Sequence, residues 1–123
     1  MREKRRFIRF AIALKVAYIV QRDPKTEKLG TTKDVSAQGM QLLTGDKLET
    51  GDKVDLKIFV PEALTPAHIK GIVVWSKEPG TLPESRSHNA GIDFLKIEED
   101  NKNTFLKFLC DLMYEKIGDK KEE

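Results

Sequence analysis

Five cations fall in the first nine residues: Arg2, Lys4, Arg5, Arg6 and Arg9. One acid, Glu3, opposes them, so the local charge is +4. The whole chain carries +2, so the remainder is slightly acidic. Four of the five cations are arginine. A guanidinium is a planar fork that grips phosphate with two hydrogen bonds, reads the O6/N7 edge of guanine and stacks on a base; an ammonium does only part of this. A solvated charged terminus is the plain reading of such a stretch. A phosphate-binding arm is the functional one.

The second chemical feature is Asp34-Val35-Ser36-Ala37-Gln38-Gly39, a DxSxxG string. Asp, Ser and Gly are ordinary turn residues. Together they also offer a carboxylate acceptor, a hydroxyl and a backbone that can approach a ligand closely. A carboxylate complements the N1–H and N2–H donors of guanine, and arginine complements its opposite edge. One guanine can thus be held on both edges while further arginines meet the phosphates.

Other chemistries find little support. His68 and His88 are the two histidines, with no HExxH or CxxC spacing for a metal and no GxSxG, GxGxxG or P-loop string. Neither catalytic residues nor metal ligands are expected, and the chain reads as a non-enzyme with no cofactor. Cys110 is the single cysteine, which excludes an internal disulfide and a cysteine-cluster metal site and favours a reducing compartment. On an apolar helix face it reads as a small core residue. Trp75, in Ile72-Val73-Val74-Trp75, could stack a base, but reads first as a packing residue at the edge of the core.

The elements that must position these groups follow from periodicity. Ala11–Val20 is β-branched and aromatic and reads as a strand, as do Gly30–Val35, Met40–Leu43, His68–Ser76 and Ala90–Leu95. Val54–Val60 alternates, with Val54, Leu56, Ile58 and Val60 on one face. Turn pairs and prolines separate the strands. The period then changes. From Asp100 to Gly118, two neighbouring rows at helical spacing, Phe105-Leu109-Leu112-Lys116 and Leu106-Cys110-Met113-Ile117, form one broad stripe. Six short strands without helical crossovers, then one amphipathic helix, predict a mainly β fold: a six-stranded antiparallel β-barrel with a C-terminal α-helix.

A chain of 123 residues is one domain. The expected layout over 1–123 is a basic mobile arm (1–10), a barrel (11–95), a helix (100–118) and a charged tail (119–123). Phe10–Val20 is too short to span a bilayer, Lys15 interrupts it and no cleavage site follows, so a cytoplasmic protein without membrane insertion is expected.

Arg5-Arg6-Phe7-Ile8-Arg9 reads as RxxxR and Asp34–Gly39 as [DN]xSxxG, one on each side of the first strand. In this order they resemble the paired motifs of PilZ domains, receptors for the bacterial second messenger cyclic di-GMP. Gly71-Ile72-Val73-Val74-Trp75, Asn89-Ala90-Gly91-Ile92-Asp93-Phe94 and the closing helix add to the likeness, which spans nearly the whole chain. The resemblance implies a site made of Arg5, Arg6, Arg9, Asp34, Ser36 and Gly39. Arg5 and Arg9 would bind guanine and phosphate, and Arg6 would add charge or stacking. Asp34 and Ser36 would bond a guanine edge, and Gly39 would let the backbone turn beneath the ligand. It further implies an arm that orders on binding and signals to a downstream effector protein. The rival readings are a small barrel that binds nucleic acid through its arm and a protein-interaction domain that binds no nucleotide. The near-balanced charge and the carboxylate in the turn make nucleic acid the weaker partner.

Overall fold

The computed structural model describes residues 8–79 and 87–121. Six strands follow in chain order: β1 (Lys15–Val20), β2 (Lys28–Val35), β3 (Gly39–Thr44), β4 (Lys53–Ile58), β5 (Ala67–Lys77) and β6 (His88–Ile97). They close as an antiparallel barrel in the order β1-β2-β3-β6-β5-β4. Closure leaves no sheet edge for another chain to pair with. One helix, α1 (Glu99–Lys121), completes the fold.

Alternation fills the interior. Val54, Leu56 and Ile58 of β4 are buried while Asp55 and Lys57 between them are turned toward solvent. Val16, Tyr18 and Val20 of β1, Met40 and Leu42 of β3, Ile69 and Val73 of β5, and Ile92 of β6 join the same core. All six expected strands form, with bounds shifted by one or two residues, β4 ending at Ile58 and not Val60, and with a larger shift at the chain's beginning. β1 starts at Lys15, not at residue 11. Between them the chain follows β2 at Thr32: its hydroxyl donates to Ile12 O at 2.7 Å and accepts from Leu14 N–H at 2.8 Å, and its backbone N–H donates to Leu14 O at 2.9 Å. A hydroxyl replacing a ladder position satisfies the backbone there without forming a strand.

The helix docks by Phe105, fully buried, and Leu109, with Leu106, Phe108 and Leu112 half-buried beside them. Phe105 meets Phe94 of β6 edge to face, with ring centroids 5.8 Å apart and planes at 72°. The centre of the buried face is therefore Phe105-Phe108-Leu109-Leu112, rotated from the expected stripe. Cys110, expected in the core, is exposed, as is Met113. The helix also continues through Gly118 to Lys121 rather than ending at the glycine.

Three bulges interrupt the ladders, and two of them shape the outer face of the barrel. In β2 the pairing passes from Thr32↔Leu42 to Asp34↔Gln41, leaving Lys33 as the extra residue. In β5 it passes from Val73↔Ile92 to Trp75↔Gly91, leaving Val74 extra. Each bulge reverses the inside–outside alternation of its strand. Thr32 and Val73 point inward; without the bulges Asp34 and Trp75, two residues on, would do the same.

Candidate functional site

The bulges assemble one row on the outer face of the barrel. Asp34 of β2 stands opposite Gln41 of β3, Gln41 opposite Gly91 of β6, and Gly91 opposite Trp75 of β5. Gln41 lies between buried Met40 and Leu42, and Gly91 between buried Ala90 and Ile92, so both face outward. At strand spacing, the row spans roughly 14 Å from Asp34 to Trp75.

Arg9 reaches this row from the arm. Phe10 exchanges both backbone hydrogen bonds with Val35, at 2.8 and 2.9 Å, and this bridge sets Arg9 beside Asp34. Arg9 Nη2 donates to Asp34 Oδ1 at 2.6 Å. Gln41 Nε2 donates to Asp34 Oδ2 at 2.9 Å. The pair is largely shielded, with side chains 25% and 20% exposed. Arg9 Nε is buried and has no acceptor among the described residues. An unmet buried donor beside a charged centre is costly, on the order of 1–3 kcal/mol, and an incoming acceptor would relieve that cost.

Ser36 and Gly39 lie beneath this surface. Ser36 is 1% exposed. Its Oγ accepts from Gln38 N–H at 3.1 Å and from Gly39 N–H at 3.2 Å, and its own backbone N–H donates to Gly39 O at 2.8 Å. The hydroxyl expected to bond a guanine edge is thus taken up as the internal brace of the turn. Gly39 is demanded by the sheet: a Cβ there would stand 2.4 Å from Ile92 O of the neighbouring strand. Of the expected site residues, then, Arg9 and Asp34 meet at the surface, and Ser36 and Gly39 shape the turn that presents Asp34. Arg5 and Arg6 lie outside the described residues.

Trp75, expected as a packing residue at the core's edge, lies instead on the outer face and is 40% exposed. Its ring covers Gly91 so closely that a Cβ on Gly91 would stand 2.1 Å from the indole Nε1. Gln41 and Gly91 carry no site signal of their own in the sequence. Alternation in Gly39–Thr44 shows that Gln41 faces outward, but its neighbours depend on register.

The chain matches the PilZ domain model over residues 3–110. It belongs to the PilZ domain family. Among curated protein sequences none matches this chain. The PilZ fold is shared with solved structures of low identity. The PilZ domain of YcgR from Escherichia coli, solved with c-di-GMP, is 12% identical with a TM-score of 0.68, over 98% of this chain and 99% of that one. The Bacillus subtilis inhibitor of motility MotI/DgrA is 18% identical with a TM-score of 0.72, over 93% of this chain and 53% of that one. K. pneumonia MrkH in its c-di-GMP complex is 21% identical with a TM-score of 0.68, over 92% and 53%. This PilZ chain therefore spans about half the length of MotI/DgrA and MrkH and nearly all of the YcgR domain. No helix among its described residues is long and apolar enough to cross a membrane.

Proposed function

We propose that this PilZ chain is a receptor for cyclic di-GMP. The dinucleotide is clamped between the arginine arm and the Asp34–Gly39 turn, and occupancy is read by an effector protein. The chain acts by binding, in the cytoplasm, with no catalysis and no cofactor. The observation that carries the reading is the half-met pair at the surface: Arg9, with its Nε lacking an acceptor, against Asp34. The YcgR domain and MrkH, both solved with c-di-GMP, point the same way.

The chemistry follows from lone pairs and donors. Among the described residues each Asp34 oxygen accepts one hydrogen bond and keeps a second acceptor direction. Those directions suit the N1–H and N2–H of guanine. Arg9 Nε–H meets O6, N7 or a phosphate oxygen, and Arg5 and Arg6 supply further charge. Ser36 and Gly39 contribute by holding the turn. Trp75, at the far end of the row, gives an indole face on which a base can stack.

Titration calorimetry with cyclic di-GMP, GTP and single-stranded DNA tests this. Saturable heat with cyclic di-GMP alone is expected. Binding of DNA in preference, with affinity falling steeply as salt rises, would establish the nucleic-acid reading instead. No heat with any of the three leaves a protein-interaction domain.

A further inference from the structure

We infer that Gln41 is a positioning residue that sets guanine selectivity by fixing the orientation of the Asp34 carboxylate; this rests on the cyclic di-GMP reading above. Asp34 Oδ1 is held by Arg9 at 2.6 Å and Oδ2 by Gln41 at 2.9 Å. Two donors from two different segments define the plane of a carboxylate, where one would leave it free to rotate about its Cβ–Cγ bond. Arg9 comes from the arm, which the ligand itself engages. Gln41 comes from the middle of β3, paired on both sides in a closed barrel. Of the two holders, Gln41 is the one whose position does not depend on the ligand.

The chemistry of the amide makes the arrangement directional. Because Asp34 offers only acceptors, the Gln41 amide must turn its nitrogen toward the carboxylate. With that nitrogen bonded to Oδ2, the carboxylate plane is set for a base edge that carries two adjacent donors. Guanine has that edge; adenine has neither N1–H nor an amine at C2. Gln41 and Asp34 are brought together by the β2 bulge, since regular pairing would set Lys33 opposite Gln41.

The test uses the intact chain and two substitutions of similar size. Gln41→Met keeps length and volume without a donor. Gln41→Glu keeps shape but places a second carboxylate against Asp34. Calorimetry is run with cyclic di-GMP and cyclic di-AMP, and thermal melts confirm folding. The expected result is a loss of about fivefold or more in cyclic di-GMP affinity for Gln41→Met, and a larger one for Gln41→Glu, through like-charge repulsion. Selectivity over cyclic di-AMP should narrow in both. In an Asp34→Ala background the Gln41→Met effect should vanish, since a residue acting through Asp34 has nothing left to orient. Unchanged affinity in the folded single variants, or full additivity with Asp34→Ala, overturns the positioning role and leaves the receptor reading intact. A wild-type chain that binds no cyclic di-GMP overturns both.

Discussion

The indole of Trp75 lies across the α-carbon of Gly91, one strand from Gln41 and two from Asp34. Position 91 is small because the ring occupies the space a side chain would fill. Gly91→Ala should therefore push the indole off its seat, at a cost of about 1–3 kcal/mol as an overpacked contact. Trp75 is the single tryptophan of the chain, so its emission reports this one place. A red shift in Gly91→Ala is expected, and cyclic di-GMP should perturb wild-type emission at saturation. Identical spectra for the two proteins would show that the ring does not rest there in solution.

Arg9→Ala should weaken cyclic di-GMP binding by about tenfold or more, since each charge-assisted hydrogen bond contributes roughly 1.5–3 kcal/mol. The fold should survive, because Phe10 anchors this segment through its backbone and Gln41 still satisfies Asp34. Calorimetry paired with a melting curve separates the two effects. Wild-type affinity in this variant would remove the arm from the site.

Asp34→Ala separates two models by sign. If the arm binds nucleic acid through phosphates alone, removing a nearby negative charge should leave affinity unchanged or raise it. If Asp34 accepts from guanine N1–H and N2–H, cyclic di-GMP affinity should fall by at least about tenfold, because donors on the base lose their partner. Discrimination against cyclic di-AMP should erode in parallel. Titrations of both dinucleotides and of single-stranded DNA decide the matter, and the loss of guanine affinity is the expected outcome.

Phe105→Ala should act on the fold. The residue is fully buried at the seat of α1 and packs edge-on against Phe94. Truncating such a side chain costs roughly 3–5 kcal/mol. In a domain of this size that lowers Tm by roughly 10–20 °C. Binding should follow the folded fraction only. A Tm within a degree or two of wild type would show that the helix is not docked through this ring.

Acid stability should depend in part on Asp52. Hydrogen bonds from Arg22, at 2.9 and 3.0 Å, hold its carboxyl below the usual carboxylate value of 3.8. A carboxylate with a depressed folded pKa stabilises the fold in full at neutral pH and loses that contribution as pH falls through its folded pKa. Asp52→Asn should therefore lower Tm slightly at neutral pH, and the gap to wild type should close as pH falls below the usual carboxylate value of 3.8. The effect is small because Arg22 is half-exposed and solvent screens the pair. A gap that widens on acidification would refute this account.

Much of the fold is written locally. Alternation in Val54–Ile58, turn pairs between short β-branched runs and the change of period after residue 100 suffice for a six-stranded barrel closed by a helix. Those signals are properties of neighbouring residues, and the core honours them. The arginine run and the Asp34–Gly39 string are legible for the same reason, as residue types at short spacing. What each residue does within the string is not. Ser36 is spent on its own turn because the backbone folds back onto its hydroxyl, and Cys110 is exposed because the helix seats Phe105 and Leu109 in the core, which turns position 110 away. Period-two reading along β2 and β5 would place Asp34 with Thr32 and Trp75 with Val73, facing the core. Two bulges turn both outward and set them in line with Gln41 and Gly91. A bulge is a mismatch in register between two strands, so its position depends on the partner as much as on the strand itself. The groups that could do chemistry are therefore visible in the chain, and only the closing of the barrel decides which of them share a face.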